Sequence, residues 1–147
     1  MNFEYSEEQQ LLKESIQRWA QDNYSFDQRN VAASMDAGFS DKNWETFAEL
    51  GWLSVPFAEE DGGFGGGIVD LAAIMEEFGK ALTVEPLFST LVLFGGLVSE
   101  AGTADQKAAV LETLIGGGLK GAAALYEPQA RFDLSNVKTS AKIDGEV

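Results

Sequence analysis

The chain has 147 residues, 45% of them hydrophobic and 11% aromatic, with 10 basic and 24 acidic side chains and a formal charge of −14. That is about one ordinary domain with enough apolar mass for a core, neither a disordered tail nor a fibre. Histidine and cysteine are both absent, which excludes a Ser-His-Asp or Cys-His nucleophile, a zinc finger, an iron–sulfur cluster and a disulfide framework, while the negative field disfavours nucleic acid and anionic membranes.

The N-terminus, Met1 to Glu8, has no basic region followed by an apolar one, so it does not read as a signal peptide. Ser6 with Gln9 makes a capping box, and Leu12, Ile16, Trp19 and Ala20 follow at three- and four-residue spacing, which predicts an amphipathic helix. Ser40 is placed to cap a second helix carrying Trp44, Phe47 and Ala48, with Gly51 as its left-handed terminator. Trp52 to Pro56 is expected to be extended, because a residue before proline avoids the α region. A glycine-rich loop, Gly62 to Gly67, follows.

A third helix is expected to carry Leu71, Ile74, Met75, Phe78 and Leu82 on one face. Pro86 suits the first turn of a fourth, apolar nearly all round and therefore expected to be buried. Its uncharged run, Pro86 to Ser99, is 14 residues, too short to span a bilayer. Gly102 ends it, and Thr103 with Gln106 repeats the capping box before a fifth helix with Val110, Leu111 and Leu114. Leu12, Ile16, Trp19, Leu71, Ile74, Phe78, Leu93 and Leu111 are the expected core.

Beyond Gly116-Gly117-Gly118 the pattern changes. Residues 1–119 hold 6 basic and 20 acidic side chains, whereas 120–147 hold 4 of each, so a boundary is placed near Lys120. Ala122 to Tyr126 is expected to be a strand. Val137, Thr139, Ala141 and Ile143 alternate with Lys138, Ser140 and Lys142, as a half-exposed strand does, and Asp144-Gly145 is a hairpin-turn signal. The expected fold is mainly α: a helical bundle over 1–119, then the start of an incomplete β domain over 120–147.

Two features invite chemistry. Gly62 to Gly67 does not fit G-x-G-x-x-G in any register, Gly79-Lys80 is followed by Ala81 rather than Ser or Thr, and Glu59, Glu60 and Asp61 would repel a phosphate. A tight turn is the alternative to a phosphate loop. Glu76-Glu77 is a carboxylate pair on a helix, expected to splay onto different faces rather than to act as an acid/base pair. No metal-ligand spacing is present.

Taken together, four motifs in order resemble the acyl-CoA dehydrogenase family. They are Phe3 to Ala20; Trp44 through Gly51-Trp52-Leu53-Ser54-Val55-Pro56 to Gly62-Gly63-Phe64-Gly65; Glu76-Glu77-Phe78-Gly79-Lys80-Ala81; and Gly102-Thr103, Gln106-Lys107, Leu111, Gly118 and Gly121 to Pro128. The resemblance implies an N-terminal helical domain leading into a middle β domain, FAD as cofactor, an acyl-CoA thioester as substrate, and a homo- or heterotetramer. An electron-transfer flavoprotein or similar acceptor goes with it, while the missing targeting signals and the negative charge lead to the expectation of a cytoplasmic location without membrane or nucleic-acid binding. It implies oxidation of the Cα–Cβ bond, a carboxylate taking the α proton while hydride leaves to flavin. That carboxylate belongs to the family's C-terminal domain, so no catalytic residue is assigned here and residues 1–147 alone are expected to be inactive.

The family's flavin segment, "TEPgaGSD", is matched by Tyr126-Glu127-Pro128-Gln129-Ala130-Arg131-Phe132-Asp133. The resemblance thus assigns cofactor contacts to Leu125, Tyr126, Arg131 and Phe132. Three of these depart from the pattern: Tyr126 replaces threonine, and Arg131-Phe132 replaces Gly-Ser. The alternative is a catalytically silent, non-flavin partner subunit of a heteromeric enzyme.

Overall fold

A computed structural model describes residues 4–142, 144 and 145. Ile143, at the end of the expected alternation, lies outside the described residues, as do Glu146 and Val147. The helices are α1 (Glu7–Asn23), α2 (Phe26–Ala33), α3 (Asp41–Glu49), α4 (Ile68–Lys80), α5 (Gly96–Ala101) and α6 (Ala104–Ile115), with a 3₁₀ turn at Glu59–Asp61 and a π-helix at Phe88–Gly95.

Three capping boxes start α1, α2 and α6. In each, the Ser6, Ser25 or Thr103 hydroxyl accepts the amide three residues on, and Gln9, Gln28 or Gln106 returns the bond to the cap amide. The box at Ser25 opens α2, a helix absent from the sequence expectation. Its pattern is weak because only Ala32 is buried. Ser40 caps α3 as expected, and Gly51 follows with φ +76°.

Aromatic rings from three helices and one loop form the core. Trp19 of α1 meets Phe47 of α3 edge-on at 4.8 Å, Trp52 lies 5.8 Å from Trp19, and Phe78 of α4 lies 4.7 Å from Phe47. Ile16, Leu71, Ile74, Phe78 and Leu111 are buried as expected. Leu12 and Trp19 pack against this core half-buried, and Leu93 is only half-buried.

Trp52 to Pro56 is a chain of turns, not an extended segment. Trp52 N–H donates to Phe47 O at 3.0 Å and Ser54 N–H to Gly51 O at 3.1 Å. Proline restricts only its neighbour, and the compact path buries Trp52, Leu53, Val55 and Phe57 without alternation. The glycine loop folds back on it: the N–H groups of Gly63, Phe64, Gly65 and Gly66 donate to the carbonyls of Ala58, Ser54, Phe57 and Val55. A Cβ at Gly63 would stand 2.1 Å from Phe57 O. These amides are consumed internally, so the loop is the tight turn and not a phosphate cradle.

The third expected helix ends at Lys80, so Leu82 does not share its face. Leu82 turns with φ +55° and is exposed. The fourth is not one buried α-helix. It winds as a π-helix before continuing as α5, and only Leu87, Thr90, Leu91 and Gly95 are buried while Phe88 and Leu97 are exposed. A Cβ at Gly95 would lie 2.6 Å from Phe57 Cζ and 3.0 Å from Thr90 O, so this turn closes on the core through a bare backbone.

Neither expected strand forms among the described residues. Residues 121–127 and 136–142 run without regular secondary structure. A strand exists only when paired, and the amides of Lys138 and Thr139 are held instead by the Glu127 carboxylate, at 2.9 and 3.0 Å.

An ion cluster joins α1 to α4. Lys13 Nζ lies 2.5 Å from Glu76 Oε2 and 2.8 Å from Glu77 Oε1, and Lys80 Nζ lies 2.8 and 2.9 Å from the same two residues. Tyr5 donates to Glu76 and Gln17 to Glu77, both at 2.8 Å. The two carboxylates therefore converge, against the expectation that they splay: their Cβ bonds diverge, but both side chains reach the same two ammonium groups. Burial disfavours charge on Lys13 and Glu77, yet these bonds raise the lysine and lower the carboxylate. Hydrogen bonds from Lys13, Lys80 and Tyr5 hold Glu76 at about 2.

Lys13→Ala leaves the Glu77 carboxylate, 1% exposed, without its buried partner, and is expected to cost about 3 kcal/mol in chemical unfolding. The carboxylate contribution is complete above the unfolded value near 4.5 and is lost as pH falls toward 2. An acid titration of stability followed by tryptophan fluorescence checks this, with Lys13→Ala flattening the curve.

Candidate functional site around residues 121–139

The chain leaves α6 through Gly116-Gly117-Gly118. Gly117 takes φ +78°, its carbonyl accepts Trp44 Nε1–H at 3.1 Å, and Lys120 pairs with Asp41 at 2.9 Å. At Gly121 the chain meets the π-helix. The buried Thr90 Oγ1 accepts the Gly121 amide and donates to the Gly121 carbonyl, both at 3.3 Å. A Cβ at Gly121 would fall 2.1 Å from Phe94 Cδ1, so only glycine fits this approach.

From Ala122 to Tyr126 the main chain makes no hydrogen bond among the described residues. Its donors and acceptors are open to a strand or a ligand. Leu125 is 41% exposed and Tyr126 72%.

Glu127 then organises the turn. Its carboxylate takes the amides of Lys138 and Thr139 and the side chain of Gln129. The Thr139, Lys138 and Gln129 bonds hold it at about 2. Ala130 is buried, and turns close from Ala130 N–H to Glu127 O and from Asp133 N–H to Ala130 O, at 3.0 and 2.9 Å. Arg131 adopts φ +52° and Phe132 is 94% exposed. All four residues assigned from the sequence thus lie on one continuous segment, and all four are exposed. Sequence reading missed Thr90 and Phe94, hidden in an apolar run, and Glu127's role as a hub. The return of a carboxylate to amides 11 and 12 residues on leaves no spacing signature.

A flavin fits this segment in one respect and meets a different surface in another. Open main-chain groups beside an apolar Leu125 suit a planar, hydrogen-bonding ligand. At Arg131 the backbone adopts the left-handed form that a glycine takes without strain, yet the position carries a long cation. Arg131 and Phe132 project into solvent rather than filling a cavity of this chain. A surface depression of about 730 Å³ is lined elsewhere, by Glu60, Asp61, Gly62, Gly102, Lys107 and Glu112. Among the described residues no group of three or more acidic side chains is placed to hold a metal. No helix of the described residues is long and apolar enough to cross a membrane.

Glu127→Gln removes the charge that holds two amides. Exchange at Lys138 and Thr139 is expected to rise about tenfold while α1 and α4 are unchanged. In the parent chain the same two amides should loosen only as pH falls from 4.5 toward 2. Amide exchange by NMR checks both.

Residues 6–118 match the family model described as acyl-CoA dehydrogenase, N-terminal domain. The acryloyl-CoA reductase (NADH) of Anaerotignum propionicum is 32% identical over 99% of this chain and 37% of its own length. A solved chain described as the electron transferring flavoprotein of Acidaminococcus fermentans is 28% identical with a TM-score of 0.81, covering 99% of this chain and 38% of its own. The steroid ACAD Tcur3481-Tcur3483 is 27% identical with a TM-score of 0.77, covering 83% and 33%. The chain therefore spans little more than a third of the length of the relatives it matches. With the helical body, the glycine turn and the matched span in agreement, the chain belongs to the acyl-CoA dehydrogenase family and corresponds to its N-terminal helical part.

Proposed function

We propose that this chain is the substrate- and cofactor-facing front part of an FAD-dependent oxidoreductase that dehydrogenates the Cα–Cβ bond of an acyl-CoA thioester. One observation carries the reading: residues 122–126 run with their main-chain groups open, leading directly into Tyr126 to Asp133, which match the family's flavin segment. On this reading residues 1–119 are the helical domain and 120–147 begin a β domain.

The residues of the chain have definable tasks. Leu125 offers an apolar face, and the amides and carbonyls of 122–126 offer directional contacts. The acidic body, net −14 over 1–119, repels an anionic thioester, whereas 120–147 is net zero. The anion therefore approaches by the neutral segment. A flavin bound there supplies a two-electron acceptor. The proton-abstracting carboxylate that the family uses lies outside the matched part, so this chain binds and orients rather than taking the proton.

The second reading is a silent partner subunit in a heteromeric assembly, favoured by Tyr126, Arg131 and Phe132. The cation and bulky ring stand where the family pattern has a glycine and a hydroxyl. Among the related structures, the steroid ACAD bears a two-component name, Tcur3481-Tcur3483, which supports a mixed assembly here.

Flavin absorbance of the native polypeptide carrying this chain, purified alone, separates the two. Near-stoichiometric flavin and acyl-CoA turnover with an artificial acceptor are expected for the enzyme. A colourless protein that takes up no added FAD overturns it in favour of the silent subunit. Residues 1–147 alone are expected to give no turnover above a free-FAD background.

A further inference from the structure

We infer that Thr90 is a positioning residue for residues 121–126, acting through a reciprocal hydrogen-bonded latch on Gly121 that the π-helix makes possible. The ligand-facing role of that segment rests on the reading proposed above; the latch itself does not.

The argument begins with burial. Thr90 is fully buried within a helix whose one other polar residue is Ser89. A buried hydroxyl costs free energy unless it is paired. Its helical position would let it bond a carbonyl of the preceding turn, but it turns outward to the next segment. The single oxygen Oγ1 serves as acceptor for Gly121 N–H and donor to Gly121 O. Both polar groups of one residue are thereby fixed by one side chain, which sets the position and rotation of the two peptide units that meet at Gly121.

The neighbourhood removes other ways of holding it. Gly121 presses against the Phe94 ring with no room for a Cβ, so the residue cannot shift toward the helix. The next five residues have no hydrogen bond of their own among the described residues. The last fixed point before Leu125 and Tyr126 is therefore Thr90. π-Turns occur mostly as local bulges and are frequent at functional sites. Here Thr90 and Phe94, four positions apart on this helix, both meet Gly121, while Gly95 closes against Phe57.

Thr90→Ser keeps the hydroxyl, and Thr90→Val keeps the shape without it. In the 147-residue chain, Thr90→Val is expected to speed exchange of the Gly121 amide at least about fivefold. Amides of α1 and α4 should stay unchanged, and Thr90→Ser should restore the parent rate. Unchanged Gly121 exchange in Thr90→Val overturns the latch. So does a uniform rise over all helices that Thr90→Ser fails to restore, since that marks a core defect alone. In the native polypeptide, FAD affinity by flavin fluorescence is expected to fall about tenfold in Thr90→Val and to recover in Thr90→Ser, at equal Tm. A parent protein that binds no FAD defeats the functional reading, and the exchange experiment then decides the latch by itself. Weakened exchange protection with unaltered FAD affinity in a flavin-binding parent overturns the positioning role.

Discussion

The ring cluster of Trp19, Phe47, Trp52 and Phe78 is the constraint on which the architecture depends. It draws one aromatic each from α1, α3, the loop after α3, and α4, at centroid distances from 4.7 to 6.3 Å. Each ring removes a large apolar area from water, and the tilted and edge-on pairs add a geometric preference. Because no two of the four elements adjoin through a regular hydrogen-bonded ladder, the rings decide where each element lies. The ion cluster then fixes register: Lys13 on α1 meets Glu76 and Glu77 on α4 in one arrangement only. Hydrophobic burial supplies the driving force, and the paired charges select among packings that burial alone would leave nearly equal.

Much of the helical body was legible because its signals are local. Capping boxes at Ser6 and Thr103, the cap at Ser40 and the left-handed Gly51 depend on residues within four positions of one another. Helix α2 carried the same Ser-x-x-Gln signal at Ser25, but its apolar residues Phe26 and Val31 face outward, so periodicity said little. The π-helix was illegible for another reason. An all-apolar run has the same pattern in α and π windings, and what separates them here is close contact at Gly95 and Gly121 with residues distant in sequence. The residues from Val137 onward alternate as a strand would, yet alternation expresses only a preference. Pairing is a tertiary event, and the amides at 138 and 139 found a carboxylate instead.

The candidate site divides along the same line. Leu125, Tyr126, Arg131 and Phe132 were found through motif order, a property of the chain. Their supports, Thr90, Phe94 and Glu127, act across distances of 11 to 31 positions, which no local pattern records. Glycine played opposite parts in the two regions. At Gly63 and Gly121 it allows backbone to touch backbone or ring, whereas at Arg131 a residue with a long side chain adopts the left-handed conformation.

The loop that carries Arg131 is organised by Glu127. The loop from Pro128 to Val137 is closed at its base by one carboxylate, so its shape is dictated from outside the tip. Within the tip Asp133 still accepts from Ser135, but the Arg131 and Phe132 side chains make no hydrogen bond among the described residues and are released from any duty in maintaining the turn. They can drift, glycine to arginine or serine to phenylalanine, at the cost of about 1 kcal/mol of backbone strain and without loss of the scaffold. A binding surface of this build can change what it recognises, or cease to recognise anything, while the protein that carries it still folds.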